Sequence, residues 1–150
     1  MRLIVLGVDD AGQSCIESTT DLSFAPIPGI PGVSHTSLYK TDKSPPPPCP
    51  PPMHGEQVES NLPPGCVHWY IIDHEPPTEV ETHAGTELHG RNMIDLVVVL
   101  EGGGSLILAD GEHPVTAGDC IVMAGIEHGM RTGPEGSRLM SFAIGASPRT

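Results

Sequence analysis

Basic residues are scarce in this chain: 7 Lys and Arg stand against 19 Asp and Glu in 150 residues, a formal charge of -12. Such a chain makes a poor partner for a phosphate backbone, so nucleic acid is not expected as a ligand. Long apolar runs are missing as well. RLIVLG near the start is too short for the apolar core of a secretion signal and meets Asp9 and Asp10 at once, and no stretch approaches a membrane span. A soluble cytoplasmic protein is the expectation. Cysteine is sparse: Cys15, Cys49, Cys66 and Cys120 are scattered without CxxC spacing, too few for a disulfide framework at this length. Cys66 and Cys120 adjoin apolar runs and read as small buried hydrophobes. Convincing helical periodicity with caps is absent too, and so is any internal repeat.

What is present is Gly (18), Pro (17) and many short apolar stretches bounded by turn signals, the mark of a β protein in one domain. Residues 1–60 carry the strand candidates RLIVLG (2–7), QSCIES (13–18) and TSLYK (36–40), with PIPGIPG between them and SPPPPCPPP (44–52) after them. Proline at that density cannot join a central sheet, so 44–52 is expected to be an extended connector. From residue 61 onward the strands tighten: CVHWYIID (66–73), the nearly continuous IDLVVVLEG (94–102), GSLILAD (104–110), DCIVMAG (119–125) and SRLMSFAIG (137–145). Asp110-Gly111 signals a hairpin, and GPEG (133–136) a turn before the last strand. An antiparallel barrel or sandwich over 61–150, with 1–60 as an N-terminal strand extension, follows.

Three side chains stand out for chemistry. His89 precedes the IDLVVVLEG strand, Asp95 lies at its start, and His128 follows the CIVMAG strand. If Asp95 faces the interior with Val97 and Val99, its carboxylate needs a partner, because a bare buried charge is costly. Two imidazoles and a carboxylate with open positions suit Fe, Mn, Ni or Zn. Arg91 could clamp a substrate carboxylate or pair with Asp95. Met93, Met123 and Met130 are candidates to line an apolar pocket, as is Trp69. His68 and Tyr70 share the other face of that strand, and sequence does not decide which face turns inward. His83 is a fallback ligand or acid–base group. Nucleophile elbows and phosphate loops find no support: there is no GxSxG, and a strand rather than a helix follows the Gly-rich run 102–104.

With Asp95 and Gly102 as anchors, the chain resembles the cupin family. His89 falls on the first histidine of that family's first motif, Asp95 on its acid and Gly102 on its closing glycine. Gly118 stands at the opening of the second motif, and Gly125 and His128 fit its G-x2-H. The chain is also similar to small single-domain cupins, with IVLGVDDAGQS and SLYKTD matching their N-terminal pattern. Arg91 replaces the second motif histidine, Met123 the proline and Thr132 the asparagine. The resemblance implies a double-stranded β-helix (jelly-roll) barrel, a three-ligand set of His89, Asp95 and His128 for a divalent transition metal, and a homodimer. Its functional implication is an enzyme acting on a small, largely apolar oxygenated molecule, by dioxygenase-type or by lyase, dehydratase, decarboxylase or isomerase chemistry. The alternative is a metal-free small-molecule-binding cupin, which Arg91 favours.

Overall fold

The computed structural model describes residues 1–26, 28, 34–39, 56–57, 62–77 and 87–148. His83 and the proline run 44–52 lie outside the described residues. Among the described residues the secondary structure is entirely β, with no helix. The strands are β1 (Arg2–Val8), β2 (Ser14–Asp21), β3 (Ala25–Pro26), β4 (Ser34–His35), β5 (Glu56–Gln57), β6 (Val67–His74), β7 (His89–Gly90), β8 (Met93–Leu108), β9 (Gly111–Thr116), β10 (Cys120–Ala124) and β11 (Gly129–Gly145). Seven of them build one open, mixed sheet in the order β2-β1-β10-β8-β11-β6, with β9 also paired to β8. Every pair in that sheet is antiparallel except β1 with β10.

The long central strands come from segments that look broken in the sequence. IDLVVVLEG and GSLILAD were expected as two strands, but they run together as the 16-residue β8. Its first part pairs with β10 and its last with β9, while β11 follows it along both. The glycines at the junction permit this. Gly102 has φ 66, and a Cβ there would overlap the Gly136 carbonyl. GPEG (133–136) does not reverse the chain. It is an irregularity inside β11, where the register moves from Thr132 opposite Gly104 to Ser137 opposite Gly102. β10 and β11 both run antiparallel to β8, so the link after Ala124 carries the chain across to the other end of β8 without reversing it, and Ile126 and Glu127 within it are both buried. TSLYK also departs from expectation: the strand is Ser34–His35, paired with Ala25–Pro26, and Thr36–Tyr39 lie beyond it.

Alternation on these strands sets the core. Val97 and Val99 of β8, Ile121 and Met123 of β10, Leu139 of β11, Leu106 and Leu108 beyond the glycines, and Val115 of β9 pack together. Ile4 and Leu6 of β1 belong to the same cluster, so the N-terminal hairpin is part of the main sheet and adds to its core. Cys120 is buried as its apolar setting suggested, whereas Cys66, just before β6, is exposed.

A charged clasp holds β1 in place. The Arg2 guanidinium donates to both oxygens of Asp119, at 3.0 and 2.5 Å, and the Thr116 N–H donates to the same carboxylate at 3.0 Å. Burial pushes the Asp119 carboxyl up, but the Arg2 hydrogen bonds, the Thr116 N–H and the Arg2 charge outweigh it and hold the group below the usual carboxylate range. Asp119 is 2% exposed and Arg2 half-exposed. Removing the cation in Arg2→Met is expected to cost about 2 kcal/mol in urea denaturation, since solvent at Arg2 screens part of what a fully buried pair would lose. A depressed carboxyl contributes stability above its unfolded pKa and loses it as pH falls through the lower folded value. The gap between wild type and Arg2→Met is therefore expected to be full at neutral pH and to close only below the ordinary Asp range.

Candidate functional site

The two histidines of the candidate site are neighbours across a backbone bridge. His89 of β7 and His128, just before β11, pair as an isolated antiparallel bridge, each N–H donating to the other's carbonyl at 3.0 Å. Residues that exchange both hydrogen bonds present their side chains on the same side. The two imidazoles accordingly lie with ring centroids 4.9 Å apart at 48°. β5 runs parallel to β7, Glu56 opposite His89.

Each ring is held by its own stretch of chain. His89 Nδ1 lies 3.2 Å from the Glu87 carbonyl, and His128 Nδ1 lies 2.7 Å from the Ile126 carbonyl. A carbonyl oxygen only accepts, so Nδ1 is the protonated nitrogen in both contacts and Nε2 carries the lone pair of the neutral ring. Burial lowers His128 to about 4, and the Arg91 and His89 charges act in the same direction against the hydrogen bond to Ile126. His128 is thus a neutral imidazole at ordinary pH, with Nε2 available as a ligand or acceptor.

Asp95 comes from the inner face of β8 and is 5% exposed. Its cross-strand neighbours are Met123 of β10 on one side and Ala143 of β11 on the other. The Ser141 hydroxyl donates to Asp95 Oδ1 at 3.3 Å, and Tyr70 hydrogen-bonds the same carboxyl. The register explains this: Tyr70 lies opposite Ser141, one inward-facing rung from the Asp95–Ala143 pair, so both hydroxyls reach it diagonally. Burial pushes the Asp95 carboxyl up, against the Arg91 charge, the two hydroxyls and the His89 charge. Arg91 sits in the link between β7 and β8, half-buried, with its Nε out of solvent and without a hydrogen-bond partner among the described residues.

The structure therefore brings His89 and His128 into ring contact and sets Asp95 and Arg91 within electrostatic reach of that pair. Among the described residues, no three His, Cys, Asp or Glu side chains converge as one metal-binding cluster. Met93 and Met123 are buried beside Asp95, and Met130 packs half-buried on the core. Trp69 lies elsewhere. It projects from the opposite face of β6 and is 70% exposed, so the inward face of that strand is the one carrying Tyr70. Ser141 is the site residue that sequence reasoning did not single out, while Tyr70 belonged to one of the two strand faces left open. The signal for Ser141 was slight, an alternation of small residues Ser141 and Ala143 in the last strand.

A buried carboxyl with a raised pKa contributes stability only while it stays protonated, and that contribution disappears as pH rises through the folded value. Asp95→Asn, which keeps the shape and cannot ionise, is expected to raise the thermal midpoint of chelator-treated protein at neutral pH. The gain should shrink as pH falls toward the ordinary Asp range, and a lower midpoint at neutral pH would contradict the burial argument. No protein-family model and no curated protein sequence matches the chain.

Proposed function

We propose that the protein is a metal-dependent enzyme of cupin type, acting on a small, largely apolar oxygenated organic molecule. The observation that carries this reading is the disposition of the two imidazoles. Both turn Nδ1 to a backbone carbonyl two residues upstream, which makes Nε2 the nitrogen that would meet an incoming group. Histidines that ligate a metal are oriented in this way, one ring nitrogen tied to a carbonyl or carboxylate and the other on the ion. The donor types suit Fe, Mn, Ni or Zn: His89 and His128 would be the nitrogen ligands, and Asp95, which does not converge with them as one cluster in this structure, would be the acid. A divalent cation there supplies Lewis acidity toward a carbonyl or enolate, or a place to activate dioxygen. The chain's own part is to hold the His128 imidazole neutral, to keep Asp95 in a dry setting lined by Ser141 and Tyr70, and to orient the substrate with Arg91. Oxygen-dependent cleavage and non-oxidative lyase, dehydratase, decarboxylase or isomerase reactions are both compatible with such a site, and a jelly-roll closure of the sheet belongs to the same reading.

A metal-free small-molecule-binding protein is the second reading. Arg91 favours it, because a fixed guanidinium charge felt by His128 opposes a divalent cation beside it. Elemental analysis of protein purified without chelator separates the two. The enzyme reading expects near-stoichiometric transition metal that is lost in His89→Ala and in His128→Ala. Protein that stays metal-free after loading with each of the four ions, and whose ligand binding ignores those substitutions, belongs to the second reading.

A second copy of the chain is the proposed partner. Val67, Trp69 and Ile71 of the edge strand β6 are 60%, 70% and 62% exposed, beside Phe142 and Leu100 on the same outer face, and the Asp73–Arg138–Glu101 ion pairs close one end of the patch. An apolar patch on an edge strand suits an isologous dimer. Light scattering at micromolar concentration is expected to give a dimer for wild type and a monomer for Trp69→Glu. A monomeric wild type removes this part of the proposal.

A further inference from the structure

Arg91 is a charged group whose bonding the fold leaves incomplete among the described residues. It follows His89 by two residues in the link between β7 and β8, and its Nε lies out of solvent without a hydrogen-bond partner among the described residues. Leaving a buried donor unbonded is costly, more so when the group is charged, so an acceptor from outside the chain is the natural complement. The carboxyl nearest in the sheet does not fill the role. Asp95 feels the Arg91 charge, but among the described residues its hydrogen bonds come from Ser141 and Tyr70.

The neighbouring imidazoles do not fill it either. His89 and His128 direct their Nδ1 donors to the Glu87 and Ile126 carbonyls, so in this cluster the guanidinium is the group suited to receive an anion. Its planar fork matches a carboxylate in shape as well as charge. The apolar side chains nearby describe the rest of the ligand. Met123 stands directly opposite Asp95, Met93 opens β8, and both are buried, flexible and unbranched.

We infer that Arg91 anchors a carboxylate subsite at the edge of the His89–His128 pair, and that the ligand is a small monocarboxylate with an apolar body resting on Met93 and Met123. The inference rests on the proposed function for the location of the site and adds the substrate class. It gives a reason for an arginine at this position, between a histidine and a buried acid.

The test is an NMR titration of the full-length, 15N-labelled protein with benzoate, and with benzamide as its uncharged isostere. The Arg91 Nε–Hε signal is assigned by its disappearance in Arg91→Gln, whose fold is checked by circular dichroism. Benzoate is expected to shift that signal saturably, benzamide to bind about tenfold or more weakly, and Arg91→Gln to abolish saturable binding. An Arg91 signal that ignores benzoate overturns the inference, as does one that answers benzamide equally. Benzoate binding that survives Arg91→Gln but is lost in His89→Ala overturns it too, because the carboxylate then sits on the imidazole side. Metal content measured on the same samples keeps the two ideas apart. A responsive Arg91 in protein that takes no metal defeats the metal reading alone, and a silent Arg91 in metal-loaded protein defeats the carboxylate subsite alone.

Discussion

Strand β8 is hydrogen-bonded on both edges, to β11 along nearly its whole length and to β10 and then β9 on the other side. A strand held in that way has one register, because a slip of one residue would exchange its two faces. The chosen register turns Val97 and Val99 inward to the core, and it turns Asp95 inward with them. The acid is therefore buried by the same alternation that builds the hydrophobic cluster, and the fold has to supply partners for it. Ser141, Tyr70 and the Arg91 charge are those partners, and they come from three separate segments.

The histidine pair is positioned independently of this. Its geometry depends on a short backbone bridge between the link after β10 and the two-residue β7, each ring locked by a carbonyl two residues upstream. Site and core thus meet along one line, with β8 carrying the acid and the bridge carrying the imidazoles. The stability cost of a buried carboxyl and of an unbonded guanidinium nitrogen falls at this junction, where a functional site is expected to concentrate strain and unpaired polarity. At the far end of the sheet the Arg2–Asp119 clasp has the opposite character, since its carboxylate is fully bonded and held ionised. The contrast separates a structural acid from a candidate functional one more clearly than burial does, as both are nearly inaccessible.

Much of the β architecture could be read before any coordinates. Glycine and proline density, short apolar runs and turn dipeptides gave an all-β chain, and the alternation in IDLVVVLEG set Asp95 with Val97 and Val99. The choice of His89 and His128 as neighbours also came from their places at strand ends. Other points were out of reach. Gly102, Gly103 and Gly104 looked like a break between two strands and are in fact where one strand continues, because only residues without a Cβ allow β8 to pass so close to Gly136, Val115 and Arg131. GPEG looked like a reversal and is an irregularity within β11.

The amino-acid sequence by itself determined the class of structure and which side chains share a face on each strand, since those depend on local spacing alone. It could not say which face of VHWYIID joins the site, nor that Tyr70 and Ser141 would hold Asp95 while Arg91 kept an unbonded nitrogen. Those outcomes depend on the pairing of β6 with β11 and of β11 with β8, contacts between residues tens of positions apart. Only the assembled sheet decides them, because register between distant strands follows from packing the whole core at once.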